Sequence, residues 1–381
     1  MIEPHGGTLV NRLLDENEAA VAKSKAEGLP RIAVSSGVLV DMENIARGAY
    51  SPIEGFMGEA DTKSVLAKGR LANDTPWTIP IVLDVDAATA EGLNGDVVIT
   101  DEAGEAYAIL TVTGTFGYDK AEFAEKVYGT TDEAHPGVAR TMAMKDTLVA
   151  GPIQMLKLLP TPFGTYKLSP KETRALFEKK GWATVCAFQT RNVPHRGHED
   201  MQKTVLRLVD GLMIQPVIGK KKKGDFKDHL IVASYQKLID TYFNPEHVVL
   251  TILPLEMRYA GPKEAIMHAI MRKNYGCTHI IIGRDHAGVG NYYHHEAAIN
   301  IFQDYPDIGI QPVSIRGDFF YDTASGQIES DRTIATPDDV HINFSGTVIR
   351  KMITEHTPPP NEIMRTEVFE VIDADPAPFV E

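Results

Sequence analysis

The sequence contains only two cysteines among its 381 residues, and this scarcity excludes several classes of protein. Cys186 and Cys277 cannot form a framework of disulfide bridges, and there is no Cys-x-x-Cys pair or Cys/His cluster that could hold zinc. Both cysteines lie in apolar segments, TVCAF and YGCTH, so we expect two small, buried, reduced side chains. The sequence therefore predicts neither a disulfide-stabilised protein nor a structural zinc site.

Long hydrophobic runs and a surplus of basic residues are also missing. No apolar run approaches the ~20 residues that cross a bilayer, and the N-terminus, MIEPHGGTLV, has no basic segment followed by an apolar stretch. We therefore expect no signal peptide, no membrane partner and a cytoplasmic location. Lys and Arg number 38 against 52 Asp and Glu, and the resulting net charge of −14 disfavours nucleic acid as a partner. Any site for an anion must be built locally, against the field of the whole chain.

The chain is too long for one ordinary core, and its pattern divides into three predicted domains. The first, residues 1–168, is predicted to be a β-rich α+β domain of barrel-like form. Its signals are a polar helix over 16–27, a strand over 77–86 and a hairpin around the turn DEAG at 101–104. It carries no catalytic motif, and it ends in the turn-rich stretch LPTPFGTYKLSP.

The second predicted domain, residues 169–326, has a regular alternation of strands and helices. Its strand segments are apolar throughout and lie at 182–188, 211–219, 247–254, 278–283 and 308–315. The segments between them have helical periodicity, and the last of these predicts a helix over 292–305. Such a pattern predicts an α/β fold, a doubly wound parallel five-stranded sheet covered on both faces. Residues 327–381 form a small α/β C-terminal domain, with a helix capped by Ser345.

Two loops at the ends of these strands carry most of the polar chemistry. In a doubly wound sheet of order 3-2-1-4-5, strands one and four are neighbours where the winding reverses, and ligands bind at their carboxyl ends. The loop after strand one reads QTRNVPHRGH over 189–198, and the loop after strand four reads GRDHAG over 283–288. We therefore expect the two loops to converge on one site.

The composition of these loops favours binding of phosphate. The first loop enters a helix, whose N-terminal N–H groups attract anions. His195 and His198 are three residues apart and can share a face of the first turn, and Arg191 and Arg284 each offer a fork of donors for a tetrahedral oxyanion. The alternatives for the two histidines are a zinc pair or simple surface histidines, and for zinc a third ligand is lacking nearby. Asp285 receives no catalytic role, since it can balance Arg284 or cap a turn.

Other anion-binding motifs are incomplete. GKKKKG at 219–224 opens like a P-loop, but Asp225 and Phe226 stand where that motif has its GK[ST] ending. The run is typical of a solvated, flexible loop, or of a loop that steers anions toward a crevice. No GxGxxG follows a strand, which disfavours a dinucleotide cofactor.

The motifs of the two loops resemble those of a known family. QTRNVPHRGH resembles the QTRNxxHxxH signature of the ATP sulfurylase family, and THIIIGRDHAGVG is similar to its second signature. YSPIEGFM, GPIQ, YAGPKEA and FSGTVIRKMI are similar to further family segments, so the resemblance covers nearly the whole chain. It implies a PUA-like first domain and a nucleotidyltransferase-like catalytic domain. It also implies that MgATP and sulfate give adenosine 5′-phosphosulfate and pyrophosphate, by direct in-line attack on the α-phosphorus without a covalent enzyme intermediate.

The resemblance also assigns roles to individual residues. The implied catalytic residues are Thr190, Arg191, Asn192, His195 and His198. The implied ATP-binding residues are Gln189, Thr190, Arg191, Asn192, His195, His198, Gly283, Arg284, Asp285 and His286. Sulfate would be held by Gln189, Arg191 and the backbone of Ala287, and Ile328 would face the adenine. No residue is assigned as a metal ligand, because Mg²⁺ would arrive with ATP, and the cysteine-rich zinc segment of many relatives is lacking.

Two alternatives stay open at this stage. One is a nucleotidyltransferase with another acceptor, such as a phosphorylated alcohol or an organic acid. The other is an RNA-binding module centred on the first domain, although the charge of −14 counts against it. For the assembly we expect a homodimer.

Overall fold

The N-terminal part of the chain is a mixed α/β unit organised around one long strand. The computed structural model describes every residue from Met1 to Glu381. The helices and strands of this unit are α1 (Glu16–Lys25), β1 (Arg31–Ala33), α2 (Ser36–Ala46), β2 (Gly55–Phe56), α3 (Glu59–Lys68), β3 (Leu83–Val85), α4 (Ala87–Glu91), β4 (Gly95–Thr100), β5 (Ala106–Val112), β6 (Gly114–Gly117), α5 (Lys120–Tyr128), α6 (Pro136–Ala143) and β7 (Thr147–Met155). The sheet has the order β1-β4-β5-β7-β2, and β3 and β6 also pair with β7.

The hairpin predicted in this unit is confirmed, but one predicted strand is much shorter than expected. β4 and β5 are antiparallel, and the turn between them is closed by the Asp101 N–H, which donates to the Glu105 carbonyl at 3.0 Å. The strand expected over 77–86 is reduced to β3. Its first part leaves the sheet because Pro80 has no N–H for a ladder, and the Trp77 indole N–H bonds to the nearby Ile79 carbonyl at 2.7 Å.

The central part of the chain contains a parallel sheet. Its elements are α7 (Pro170–Lys179), β8 (Val185–Thr190), α8 (Arg196–Leu206), β9 (Gly211–Ile218), α9 (Asp228–Tyr242), β10 (Val248–Leu250), β11 (Leu253–Pro254), α10 (Pro262–Asn274), β12 (His279–Ile282), α11 (Ala297–Asn300) and β13 (Gln311–Ser314). The order β10-β9-β8-β12-β13 is the expected 3-2-1-4-5, and all its pairs are parallel. The strand predicted over 247–254 is divided into β10 and β11. Between them the Thr251 hydroxyl and the Ile252 N–H both donate to the Tyr166 carbonyl, and β11 then pairs separately with β9.

Both faces of this sheet are buried at the inner strands β8, β9 and β12, as their apolar segments predict, whereas the edge strand β13 is partly exposed. In β8, Cys186 and Phe188 belong to a hydrophobic cluster with the inner face of α9, whereas Val185 and Ala187 belong to a second cluster with α10. Successive side chains of a strand point to opposite faces, so the run 185–188 is apolar at each position. Both cysteines are free and buried, as expected.

The prediction of a helix over 292–305 is wrong in extent. Only α11 and a short 3₁₀ turn over Ile301–Asp304 are helical. The preceding residues contact the N-terminal unit instead: the rings of Tyr292 and Tyr293 lie 4.9 and 6.1 Å from the His135 ring, and the Tyr292 hydroxyl donates to Asp132 at 2.7 Å. These long-range contacts replace the local helical bonds that periodicity suggested.

The C-terminal part adds a small sheet and two helices against the central unit. Its elements are β14 (Phe319–Asp322), β15 (Gln327–Ser330), β16 (His341–Asn343), α12 (Gly346–Thr354) and α13 (Thr366–Asp373). The antiparallel order is β15-β14-β16, so the predicted domain boundary at residue 326 falls within the turn between β14 and β15. α12 begins at the predicted cap, where the Ser345 hydroxyl accepts from the Val348 N–H at 3.3 Å. No helix of the chain combines the length and apolar character needed to cross a bilayer.

The N-terminal and central units share one continuous hydrophobic core. Polar contacts fix their relative position: Arg258 pairs with Asp41 at 2.7 Å, and the Asn274 amide donates to the carbonyls of Ala49 and Ser51, both at 3.0 Å. These contacts hold the segment between β11 and α10 beside the carboxyl ends of the parallel strands.

Candidate active site

The two polar loops meet in a single pocket at the carboxyl ends of β8 and β12. It is a cavity of about 400 Å³. Its lining includes every residue singled out in the two loops: Gln189, Thr190, Arg191, Asn192, His195, His198, Gly283, Arg284, Asp285, His286 and Ala287. The convergence predicted from strand order is therefore confirmed. Ile328 is not part of this lining and lies on β15, opposite Tyr321 of β14.

Local hydrogen bonds set the shape of the first loop. The Thr190 hydroxyl accepts from the Asn192 N–H at 3.1 Å, which closes a tight turn at the end of β8. His195 then caps α8, because its Nδ1 accepts from the His198 N–H at 3.3 Å. A Cβ on Gly197 would lie 3.0 Å from the Phe344 ring and 3.1 Å from the His195 ring, so only glycine fits between them without displacement.

The two histidines of this loop form a buried aromatic stack. Their ring centroids are 3.7 Å apart, and Phe344 stacks nearly parallel to His195 with centroids 5.2 Å apart. Burial lowers the pKa of His198 to about 4, and burial together with the neighbouring His198 lowers the pKa of His195 well below its usual value. Both rings are thus neutral near pH 7. Since Nδ1 of His195 accepts a hydrogen bond, the neutral ring carries its proton on Nε2 and can donate from there.

Arg191 presents a buried donor that has no partner within the chain. Its Nη1 is buried and unbonded, and its guanidinium carbon lies 5.3 Å from the centroid of the Tyr259 ring. The Gln189 Oε1 in the same loop is also buried without a partner. Buried polar atoms are nearly always hydrogen-bonded, so these two side chains indicate the place of a polar ligand.

Arg350 of α12 orients the Asn192 amide. Its Nη2 donates to the Asn192 Oδ1 at 3.0 Å, which leaves the Asn192 NH₂ group free to donate elsewhere. Sequence reasoning missed Arg350, although it lies in the noted segment FSGTVIRKMI, because a helix cap alone did not indicate where that helix docks. Phe344 and Tyr259, which lie in the noted segments FSGTVIRKMI and YAGPKEA, were likewise missed.

The second loop has an unusual backbone. Asp285 and Ala287 adopt positive φ angles of 50° and 57°, which non-glycine residues rarely do and which cluster at functional sites. The Ala287 N–H has no partner within the chain. Arg284 forms its ion pair with Asp318, which precedes β14, and does not pair with Asp285. The loop thereby offers a free backbone donor beside an anchored guanidinium.

A buried chain of polar side chains connects this loop to α10. Nδ1 of His268 lies 3.0 Å from Nε2 of His286, and Nε2 of His268 lies 3.5 Å from Glu264. Burial alone would raise the pKa of Glu264, but the neighbouring His268 and hydrogen bonds from the backbone N–H groups of Arg258 and Ala260 lower it to about 2, so the carboxylate is ionised. Burial also lowers the pKa of His286 to about 3.

The ionised Glu264 fixes where the protons of this chain lie. It attracts the proton of neutral His268 to Nε2, which leaves Nδ1 of His268 as an acceptor. His286 then donates through Nε2, and its own Nδ1 is left without a proton. Nδ1 of His286, a residue of the pocket lining, is then an acceptor, in contrast to the donors of the first loop.

The structure has no group of three or more His, Cys, Asp or Glu side chains arranged to hold a metal ion. Asp285 is the one carboxylate in the pocket lining. Hydrogen-bond donors therefore dominate the lining of this cavity, and such a lining suits an anionic ligand. It does so although the chain as a whole has a net charge of −14.

Two family profiles match the chain. A profile of the ATP-sulfurylase family matches residues 164–374, and a profile of the PUA-like domain matches residues 2–158. The sulfate adenylyltransferase of Hyperthermus butylicus is 48% identical over 379 residues, covering 99% of this chain and 97% of that protein. That of Thermococcus onnurineus is 47% identical over 379 residues, covering 100% and 99%.

Among solved structures, a hexameric APS kinase from Thiobacillus denitrificans superposes with a TM-score of 0.77. It is 22% identical in sequence, and the match covers 98% of this chain and 68% of that one. At this identity the likeness concerns the fold alone.

Proposed function

The chain belongs to the ATP-sulfurylase family and has the sulfate adenylyltransferase activity of its full-length relatives, and we propose that the pocket at the ends of β8 and β12 is its active site. There ATP and sulfate would give adenosine 5′-phosphosulfate and pyrophosphate, or the reverse. The full-length relatives favour sulfate over the other acceptors considered, and catalysis over RNA binding.

One observation carries the assignment of the site. The unbonded Nη1 of Arg191 lies in a buried position within the same pocket as two stacked, neutral histidines at the N-terminus of α8. Leaving such donors without a partner is costly, and an oxyanion would satisfy them. The helix N-terminus adds a partial positive charge at the same place.

For sulfate, we propose a site made by Gln189, Arg191 and the backbone N–H of Ala287. The three groups come from both loops, and the Arg191 Nη1 and the Ala287 N–H are donors without a partner in the structure. Gln189 would donate through its side-chain NH₂ group, because its Oε1 can only accept and sulfate offers no proton. The planar guanidinium can donate two parallel hydrogen bonds to a tetrahedral oxyanion. Tyr259 lies against the guanidinium of Arg191 and limits its movement.

For ATP, we propose that the remaining loop residues divide between phosphate and nucleoside. The Asn192 NH₂ group, His195 and His198 would donate to phosphate oxygens, as would the part of Arg284 that Asp318 leaves free. His286, by contrast, offers an unprotonated Nδ1, which suits a hydroxyl or amino group of the nucleoside.

The chemical step requires positioning and charge neutralisation, not proton abstraction. Sulfate is already ionised, so one of its oxygens can attack the α-phosphorus directly while the bond from that phosphorus to the bridging oxygen breaks and pyrophosphate leaves. The barrier is the repulsion and disorder of two anions, which fixed donors and a low-dielectric pocket reduce. The Thr190 hydroxyl is engaged in the turn with Asn192, and no covalent intermediate is proposed.

Mg²⁺ enters this scheme as part of the substrate MgATP. The single carboxylate of the pocket lining agrees with a metal held mainly by phosphate oxygens. It would neutralise charge on the β- and γ-phosphates. We add, as expectations from the sequence, three domains, a homodimer and a cytoplasmic location; light scattering on the purified chain tests the dimer.

The direct test of the function is pyrophosphate release from MgATP with and without sulfate. We expect release only with sulfate, and molybdate should replace sulfate and give AMP, because the acceptor site fits tetrahedral oxyanions. Release that is independent of sulfate, or supported only by an organic acceptor, would refute the function.

A further inference from the structure

A second cavity adjoins the active-site pocket and is lined by the lysine run after β9. It has a volume of about 410 Å³, and its lining residues are Pro136, Gly137, Arg140, Lys220, Lys221, Lys222, Glu256, Met257 and Tyr259. We call it the basic groove. Met257 lines both cavities, and the Tyr259 ring of the groove lies against Arg191 of the pocket. Met257 and the Arg191–Tyr259 contact therefore connect the walls of the two cavities.

The basic groove holds more positive than negative charge. Glu256 is its one carboxylate, at 3.5 Å from Nη1 of Arg140 and 3.9 Å from Nζ of Lys220. Lys221 is largely buried and pairs with Asp228 at 3.1 Å, whereas Lys222 is exposed and has no acidic partner. Half-exposed pairs at these distances are weak, so the cations remain available to a diffusing anion.

The loop that carries these lysines is held at both ends, in contrast to the flexible loop expected from the sequence. Gly219 and Gly224 bound it with positive φ angles of 141° and 84°. The Gly219 N–H donates to Asp228 at 3.2 Å, and the Gly224 N–H donates to the Val380 carbonyl at 2.8 Å. The C-terminal end of the chain thus fixes the lysines over the groove.

We propose that the basic groove is a second binding site for inorganic oxyanions, through which sulfate enters or pyrophosphate leaves. The proposal rests on the proposed function, because that reaction exchanges one inorganic oxyanion for another in the adjoining pocket. In a chain of net charge −14, the overall field repels both ions. A local cluster of cations beside the pocket offsets this repulsion and raises the rate of encounter, an effect that falls with ionic strength.

The test compares two double variants that lose the same charge. Lys220→Gln/Lys222→Gln removes two groove cations, and Lys25→Gln/Lys68→Gln removes two exposed lysines at the ends of α1 and α3. We measure kcat/KM for sulfate in the forward direction and for pyrophosphate in the reverse direction, from low to high salt. At low salt the groove variant should lose about 3- to 10-fold for at least one anion and depend less on salt, with the control near wild type.

The two directions distinguish the two ions. A loss confined to sulfate identifies an entry path, a loss confined to pyrophosphate identifies an exit path, and a loss for both identifies a shared one. No loss for either ion, or an equal loss in the control, would overturn the proposal. Wild-type enzyme that releases pyrophosphate without needing sulfate would instead contradict the proposed function, so the two failures are separable. Thermal unfolding of both variants checks that they fold.

Discussion

Nδ1 of His268, a fully buried residue of α10, lies 3.0 Å from Nε2 of the pocket residue His286. The carboxylate of Glu264 stands 3.5 Å beyond, on the other side of the His268 ring. The three side chains form a line from the core to the pocket. His268 touches no proposed substrate position, so we regard it as a positioning residue.

We predict that His268→Phe raises KM for ATP by about 5- to 100-fold, because His286 loses the acceptor that fixes its tautomer and leaves a buried donor unpaired. His268→Asn keeps an amide oxygen near the former Nδ1 and should recover part of the loss. KM for sulfate should change much less. Steady-state kinetics with each substrate varied in turn measure the two KM values. Equal increases in KM for ATP and for sulfate would indicate a purely structural role of His268.

Arg191→Lys should lower kcat by about 10²- to 10³-fold, because an ammonium keeps the charge but cannot donate two parallel hydrogen bonds to sulfate. The matched control is Arg207→Lys, an exposed position at the end of α8. Turnover assays at saturating MgATP and sulfate measure the effect. Near-normal turnover in Arg191→Lys would remove Arg191 from the sulfate site.

Arg350→Ala should reduce kcat/KM for ATP by about 10-fold, because the Asn192 amide loses the hydrogen bond that orients it. If the two residues act as a unit, Asn192→Ala combined with Arg350→Ala should cost little more than Asn192→Ala alone. A double-mutant cycle on kcat/KM measures the coupling. Fully additive effects would show that Arg350 does not act through Asn192.

Stability should fall when the pH is lowered from about 6.5 toward 4. Burial holds the pKa of His198 at about 4 in the folded chain, below its value of 6.5 when exposed. Between these two pH values the unfolded chain binds more protons than the folded chain, so the free energy of unfolding rises with pH. The contribution of His198 to stability is fully present above pH 6.5. Urea unfolding from pH 4 to 7.5 measures this slope. The slope should be shallower in His198→Asn, and an unchanged slope would contradict the burial of a neutral ring.

The parallel sheet and the meeting of two loops could be predicted from sequence, because strand order and apolar runs are sufficient to bring β8 and β12 together. The residues that hold the pocket side chains in place could not be predicted in this way. Arg350 and His268 act behind the pocket lining, on Asn192 and His286, and these contacts depend on how α12 and α10 pack. Tyr292 shows the same limit, since its contact with His135 replaced the predicted helix.

The central claim is that the pocket between β8 and β12 holds the nucleotide and the sulfate group together. Structure determination of the chain with bound adenosine 5′-phosphosulfate tests it most directly. We predict the sulfate group within hydrogen-bonding distance of Arg191 and the Ala287 N–H, and the phosphate against the N-terminus of α8. A nucleotide bound outside this pocket, or a sulfate group remote from Arg191, would contradict the claim.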